Sequence, residues 1–157
     1  MKKFVILFLN FVMLFTIASC GKSTTKKYNT STQQSEDDET VNKTLSLKIE
    51  NTEVDVSWLD NASVAELKKL AKDGLTIEMH KYSTFEQVGS IGSSITSSDT
   101  KITTTPGDIC LYSSNKIVLF YGANTWEYTK LGHINLTKTE LTDLLGNEDV
   151  VITFTLK

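Results

Sequence analysis

The chain has 157 residues, of which 39% are hydrophobic and 9% aromatic, a content that fits one hydrophobic core and is low for a membrane-embedded protein. It contains 16 Lys, no Arg and 19 acidic residues, and the part after residue 19 carries a net charge near −5. Duplex nucleic acid needs a basic protein surface, so this charge argues against a nucleic-acid partner.

Residues 1–19 have the pattern of a bacterial export signal. Two lysines precede an apolar run from Phe4 to Phe15, which is shorter than the roughly 20 residues of a membrane-spanning helix. The segment Ile17-Ala18-Ser19-Cys20 then resembles the lipobox of bacterial lipoproteins. The resemblance implies cleavage before Cys20, a diacylglyceryl thioether on its thiol and acylation of the new N-terminus by a fatty acid such as palmitate. A plain secretory signal with an incidental cysteine is the alternative.

These features predict a lipoprotein that is exported from the cytoplasm and anchored to a bilayer of the bacterial cell envelope through Cys20. Residues 20–43 then form a polar segment with the acidic run Glu36 to Glu39 and almost no side chains to bury. Such a composition cannot offset the entropy of an ordered chain, so a disordered linker is expected. About two dozen flexible residues have a root-mean-square span on the order of 25–30 Å, enough to hold a domain clear of a membrane.

Residues 44–157 form the predicted globular domain, which alternates short strand patterns with two short helices. The first helix is predicted to begin at Ser63, with Glu66 completing a capping box, and the second at Thr137, with Glu140 in the same role. The strand patterns lie at Leu45–Ile49, Val54–Trp58, Leu75–Met79, Ile109–Tyr112, Ile117–Tyr121, Trp126–Leu131 and Val150–Leu156, with weaker signals near Val88 and Ile102. Strand-rich chains of this size hide their strand edges when the sheet closes on itself. We therefore predict a mainly β fold, a closed barrel of about eight strands with two short helices.

One predicted strand, Ile117 to Tyr121, is apolar on both faces. A strand without a polar face needs a core on one side and further structure on the other. We therefore expect an element to cover the outside of the barrel at this strand.

Several segments of the domain resemble a bacterial family of small cyclophilin-like domain proteins. They are Thr105-Pro106-Gly107-Asp108-Ile109, Ile117-Val118-Leu119-Phe120-Tyr121-Gly122 and Tyr128-Thr129-Lys130-Leu131-Gly132, with Phe85 to Ile95 at the place of the family's G-R-S-L-P-type stretch. The resemblance covers roughly Leu45 to Lys157 and implies an eight-stranded, closed, cyclophilin-like barrel with two helices. It implies little about activity, because fold does not carry chemistry.

The chain departs from this family at two positions where its members usually have Arg, and Ser93 and Lys130 stand there instead. Cyclophilins themselves polarise the prolyl carbonyl with an arginine, and this chain contains none. Lysine is a point charge that replaces the guanidinium fork only in part. A weak or altered peptidyl-prolyl cis-trans isomerase, with Lys130 or a backbone amide as its electrophile, is therefore the alternative function and not the favoured one.

The residues offer no recognisable catalytic, metal or cofactor site. His80 and His133 lie about fifty residues apart, without the spacing of a zinc site, and Cys110 stands between two aliphatic residues as expected of a buried thiol. No G-x-S-x-G or phosphate-binding glycine motif occurs. We accordingly predict no cofactor, no metal and no catalytic residue.

One pattern suggests a ligand site. In an extended strand Trp126, Tyr128 and Lys130 project to the same side, and tyrosines close the neighbouring strands. Together with the family position Ser93, the predicted groove consists of Ser93, Tyr112, Tyr121, Trp126, Tyr128 and Lys130. The favoured function is thus a non-catalytic module that binds a small planar ligand or an extended peptide. Aromatic packing that only stabilises the sheet is the competing interpretation.

Overall fold

The computed structural model describes residues 43–157. The predicted export signal, Cys20 and the linker except Lys43 lie outside the described residues. Within residues 43–157, neither helix has the length and apolar character needed to span a bilayer.

Ten strands and two helices make up the described part of the chain, and about 48% of its residues lie in strands. The strands are β1 (Leu45–Ile49), β2 (Thr52–Val54), β3 (Val56–Trp58), β4 (Leu75–Tyr82), β5 (Glu86–Ser90), β6 (Thr100–Thr103), β7 (Asp108–Tyr112), β8 (Lys116–Phe120), β9 (Thr125–Ile134) and β10 (Val150–Leu156). The helices are α1 (Ala62–Leu70) and α2 (Lys138–Leu145). The two weak strand signals near Val88 and Ile102 correspond to β5 and β6.

The strands form one antiparallel sheet that curls into a nearly closed barrel. Nine of them follow in the order β2-β1-β10-β4-β5-β8-β7-β9-β3, and β6 pairs with β9 beside this path. At one end of the path, β3 approaches β1, the second strand from the other end, where the indole Nε1–H of Trp58 donates to the carbonyl of Leu45 at 2.7 Å. This arrangement confirms the mainly β barrel with two short helices that the sequence predicts.

The structure corrects the predicted strand from Val54 to Trp58, which is interrupted at Asp55. Its first half, β2, pairs with β1, whereas its second half, β3, pairs with β9. The chain therefore passes here from one end of the strand path to the other. One continuous alternation in the sequence can supply two strands because side chains keep the same period on both sides of the break.

The barrel interior and the helices share one large hydrophobic core. It contains alternate residues of β1, β4, β7, β8 and β10, together with Val64, Leu67 and Ala71 at α1 and Leu141 and Leu145 of α2. Both helices thus bury an apolar side against the same core that the strands enclose.

The cap of α1 differs from the predicted one. Asn61 is the N-cap, and its side-chain oxygen accepts a hydrogen bond from the backbone N–H of Val64 at 2.9 Å. Ser63 is buried inside the first turn and donates to the carbonyl of Thr96, while Glu66 binds the backbone N–H and the hydroxyl of Thr96. Asn and Ser are comparably good caps, so local sequence did not decide between them.

The cap of α2 is the predicted one. Thr137 accepts from the backbone N–H of Glu140, and the carboxylate of Glu140 accepts from the backbone N–H of Thr137. This reciprocal pair is a complete capping box and sets the start of the helix.

Gly89 marks the closest approach between β4 and β5. A Cβ atom at this position would lie 2.4 Å from Met79 Sδ, 2.5 Å from Ile77 Cγ2 and 2.7 Å from the carbonyl oxygen of Glu78. Because glycine has no Cβ atom, it lets β4 and β5 pack more closely here than they could with any other residue.

We expect Gly89→Ala to lower the free energy of unfolding by about 1–3 kcal/mol, because the added methyl group has to displace packed side chains and backbone. Urea denaturation followed by circular dichroism measures the change. Ser90→Ala, at the next position of β5, removes an exposed hydroxyl that accepts one hydrogen bond from Gly92, and its effect should stay below about 1 kcal/mol. Equal stability of Gly89→Ala and the wild type would contradict the close approach of β4 and β5 at Gly89.

Candidate functional site

The strand β8 has a core on each of its faces, as its sequence predicts. Ile117 and Leu119 point into the barrel and belong to the large core. Val118 and Phe120 point outward and are equally buried, in a second cluster with Cys110 and Tyr128. We call this second group the outer cluster.

The N-terminal half of β9 covers the outer cluster. Thr125 to Tyr128 pair with β6, whereas the C-terminal half of β9 pairs with β7 and β3. The register with β7 shifts between Ile109 and Cys110, which is a β-bulge at Leu131, within three residues of the point where β9 passes from β6 to β7. Bulges bend a strand, so this one turns the start of β9 over the outside of the barrel.

Aromatic contacts hold this cover in place. The ring of Tyr128 meets Phe120 at a centroid distance of 5.4 Å and an interplanar angle of 73°. It meets Tyr112 at 5.8 Å and 63°. Its hydroxyl oxygen accepts a hydrogen bond from the side-chain amide of Asn124 at 3.0 Å. Edge-to-face pairs of this kind add about 0.5–1.5 kcal/mol each beyond area burial.

An open cleft of about 400 Å³ lies beside the outer cluster. We call it the outer cleft, and it is lined by Tyr82, Glu86, Val88, Tyr112, Lys116, Val118, Asn124, Trp126 and Tyr128. The side chains of Trp126 and Tyr82 are 57% and 64% exposed, so two large aromatic rings at this cleft remain in contact with water. Its volume is within the range of small-molecule sites in proteins.

Glu86 brings a buried carboxyl group to this cleft. The residue is only 5% exposed, and its Oε2 atom is buried without a hydrogen-bond partner among residues 43–157. Because burial disfavours the charged form, it raises the pKa of Glu86 from 4.5 to about 7. Buried polar groups in native proteins nearly always have hydrogen-bond partners, so the unpaired oxygen of Glu86 needs a physical explanation.

The other titratable groups around Glu86 are held in their neutral forms. Burial and the Glu86 charge raise the pKa of Tyr128 to about 12, and they also raise the pKa of Tyr121. Burial, and next the charge of Asp108, raise the pKa of the Cys110 thiol to about 12. Cys110 is fully buried, as predicted, and a neutral thiol of this kind is a poor nucleophile.

Lys116 supplies the cation of the outer cleft. Its ammonium group lies 5.6 Å from the centroid of the Tyr112 ring, a cation–π distance. It forms no ion pair with Glu86 in residues 43–157. The cleft therefore holds one buried carboxyl and one separate, more exposed ammonium group.

The structure brings together three of the six predicted groove residues, Tyr112, Trp126 and Tyr128. Tyr121 follows β8 on the opposite face of the sheet, where it is buried in the large core and its hydroxyl has no hydrogen-bond partner. Ser93 lies exposed in the loop between β5 and β6. Whether any of these residues binds a ligand stays a prediction.

Lys130 belongs to a different cluster. Its Nζ lies 2.8 Å from Oδ1 of Asp108, and Nδ1 of His133 lies at the same distance from that oxygen. The other carboxylate oxygen of Asp108 accepts from the backbone N–H of Thr105. Burial acts to raise the pKa of Asp108, but the hydrogen bonds from Lys130 and His133 outweigh it and leave the pKa below its ordinary value. The cluster fixes the start of β7 to β9.

Sequence reasoning missed Glu86 as a site residue. The available signal was its spacing from Val88, since residues two apart on a strand share a face. That signal was weak because nothing in β5 alone shows that its outer face is covered. In the described part of the chain, no group of three or more His, Cys, Asp or Glu side chains is placed to hold a metal ion.

The raised pKa of Glu86 predicts a specific pH dependence of stability. Between pH 4.5 and about 7 the folded chain binds a proton at Glu86 that the unfolded chain has lost, so this contribution to the free energy of unfolding decreases with rising pH. Glu86→Gln should remove the decrease, and the stability of the variant relative to wild type should rise by on the order of 3 kcal/mol between about pH 4 and pH 8.

Urea denaturation at several pH values measures this difference. Glu127→Gln is the matched control, because Glu127 is an exposed carboxylate of β9 and its removal should leave the wild-type pH dependence in place. A stability difference between Glu86→Gln and wild type that stays constant with pH would contradict the buried carboxyl.

Comparison with known proteins places this architecture in a family. A model described as the cyclophilin-like family matches residues 47–156, from within β1 to the last residue of β10. No curated protein and no solved structure matches the chain. The matched segment is more than two thirds of the chain and contains the outer cleft and every buried residue of the barrel core except Leu45. The chain therefore belongs to the cyclophilin-like family.

Proposed function

We propose that this protein is a lipid-anchored binding module whose outer cleft captures a small planar ligand or an extended peptide segment. The observation that carries the proposal is the outer cleft itself, in which Tyr112, Trp126 and Tyr128 line one cavity of about 400 Å³. Ligand sites are typically concave and mostly apolar, with a few polar groups that fix orientation.

The exposure of Trp126 supports a binding role for the cleft. Tyr128 is 4% exposed and explains the packing of the outer cluster, but Trp126 leaves more than half of its side chain in water. An exposed indole on a rigid strand offers a large apolar surface at little entropic cost to a ligand. Packing of the sheet alone does not account for its position.

The position of Lys130 favours binding over prolyl isomerisation. An isomerase needs an electrophile beside the bound prolyl carbonyl, and Lys130 was the side chain considered for that role. Its ammonium group is held by Asp108, and Lys130 is not among the residues that line the outer cleft. A ligand in this cleft would meet aromatic rings, the Glu86 carboxyl group and, apart from it, the Lys116 ammonium group, a set that suits recognition.

The anchoring part of the proposal rests on the sequence before the barrel. The lipobox-like segment ending at Cys20 supports lipidation, and the polar residues 21–42 supply a spacer between the anchor and the domain. On this proposal the barrel is displayed on a membrane of the bacterial cell envelope with the cleft accessible to small solutes.

Binding in the outer cleft is tested with a panel of planar small molecules and Xaa-Pro peptides. The two Trp indole N–H signals report on different places, because Trp126 lines the cleft and Trp58 lies outside it. We expect at least one ligand to shift the Trp126 signal and leave the Trp58 signal unchanged in nitrogen–proton correlation spectra.

Trp126→Ala should weaken that ligand at least tenfold, since it removes one aromatic wall of the cleft. Val151→Ala removes another exposed apolar side chain, one that does not line the cleft, and should leave affinity unchanged. Binding that is insensitive to Trp126→Ala would contradict the proposed site. Cis–trans exchange peaks from the Xaa-Pro peptides would instead support the isomerase alternative.

Lipid anchoring is tested by metabolic labelling with an alkyne fatty acid followed by membrane fractionation. We expect wild-type protein to be labelled and to sediment with membranes, and Cys20→Ser to lose both properties because a thioether requires the thiol. Cys110→Ala controls for the second cysteine, which is buried in the barrel wall, and should be labelled like wild type. Labelling of Cys20→Ser would show that the anchor lies elsewhere or that no lipobox operates.

A further inference from the structure

The unpartnered carboxyl group of Glu86 points to the chemistry of the ligand. We propose that the outer cleft binds a cationic group with hydrogen-bond donors, a protonated amine or a guanidinium, with Glu86 as its counter-ion and the aromatic side chains as its walls. This inference rests on the proposed binding function and specifies the ligand class for the same cleft.

The carboxyl group of Glu86 lacks a hydrogen-bond partner at one of its oxygens. Glu86 projects from the outer face of β5 beside Phe120, its cross-strand partner, and within residues 43–157 its Oε2 atom has neither a donor nor contact with solvent. An ionised carboxyl in such a place is costly unless a donor or a cation reaches it. A ligand ammonium or guanidinium group supplies both the donor and the compensating charge.

The walls of the outer cleft are largely aromatic. Tyr82, Tyr112, Trp126 and Tyr128 line the same cleft, and aromatic faces attract cations through their ring quadrupoles. Lys116 already uses the ring of Tyr112 in this way at 5.6 Å. The aromatic surface next to Glu86 is therefore suited to a positive charge as well as to an apolar ring.

Lys116 lies away from Glu86 along the strands. On β8 it pairs with Ser90, while Glu86 pairs with Phe120 four residues further along β8. At about 3.3 Å per residue, their backbone positions are separated by roughly 13 Å along the sheet. Among residues 43–157 no cation forms an ion pair with Glu86, so the Glu86 end of the cleft is the place for the ligand's charge.

The charged state of Glu86 sets the pH dependence of this interaction. The titratable groups near Glu86 or its cleft are Tyr82 of β4, Cys110 and Tyr112 of β7, Lys116 of β8, Tyr121 directly after β8 and Tyr128 of β9. Burial raises the pKa of Cys110 and of Tyr128 to about 12 and also raises the pKa of Tyr121, so these three groups are neutral near pH 7. Lys116 is the cation of the cleft. A cationic ligand should itself stabilise the ionised form of Glu86, so binding should release a proton from the protein near pH 6.

Three probes of the same shape and different charge test the inference on the full chain: benzylamine, benzyl alcohol and benzoate. Titrations are followed by the Trp126 indole signal at about pH 8, where Glu86 is ionised. We expect benzylamine to bind at least tenfold more tightly than benzyl alcohol and benzoate, and this preference to shrink at about pH 5.5 as Glu86 becomes protonated.

Glu86→Gln should abolish the preference for benzylamine while preserving weak binding of benzyl alcohol, since the amide keeps the shape of the side chain without its charge. Glu127→Gln removes one negative charge from the strand that carries Trp126 and should keep the preference. The comparison of the two variants therefore distinguishes a direct ion pair between Glu86 and the ligand from a general effect of the protein's negative charge.

The outcomes distinguish this inference from the function on which it rests. Equal binding of benzylamine and benzyl alcohol, a preference that survives Glu86→Gln, or tighter binding of benzoate would overturn the cationic ligand class while the cleft remains a binding site. No shift of the Trp126 signal with these probes or with the broader panel would overturn both.

Discussion

The structure depends on one constraint, that β8 is buried on both of its faces. Its inward side chains complete the barrel core, and its outward side chains Val118 and Phe120 require a second cover. The start of β9, bent by the bulge opposite Ile109 and Cys110, provides that cover. Because the cover extends over only part of the outer face, it leaves a cleft at its edge. The cleft is thus a consequence of how the barrel hides its most apolar strand.

The same constraint explains why an acidic side chain is buried at this place. Glu86 pairs with Phe120 and shares the outer face of the sheet with it, so covering Phe120 also removes Glu86 from water. Aliphatic residues at this position would give a more stable outer cluster, since a carboxyl without a partner is costly to bury. On the proposed binding function, such a group exchanges stability for recognition, as binding sites commonly do.

Much of the fold follows from the sequence, because strands that face one core carry their signal in simple alternation. The patterns at β1, β4 and β10 and the capping box at Thr137 and Glu140 identify these elements locally. The break at Asp55 and the choice of Asn61 over Ser63 as cap depend on partners far along the chain. Asn61 also donates to the carbonyl of Lys130, a contact that no local pattern contains.

The candidate site was only partly predictable for a related reason. Alternation along β9 correctly places Trp126 and Tyr128 on one face, and the face of Tyr112 follows from its own strand. The sequence-based prediction also placed Tyr121 in the groove. Tyr121 directly follows Phe120, however, and successive residues of a strand point to opposite faces, so Tyr121 faces the large core. Burial of Glu86 requires knowing that β6 and β9 fold over β5 and β8, and β6 has only four residues with a weak pattern.

The pairing of β6 has a dynamic consequence. It joins the sheet only through β9, so Thr100–Thr103 and the start of β9 form a two-stranded ribbon outside the main strand path. Such ribbons are marginally stable alone and open more readily than strands with neighbours on both sides. The protein thus contains a rigid barrel and a looser ribbon that forms one wall of the cleft. On the proposed binding function, a ligand in the outer cleft would contact Trp126 and Tyr128 of this ribbon, and amide exchange in β6 would slow when the cleft is occupied.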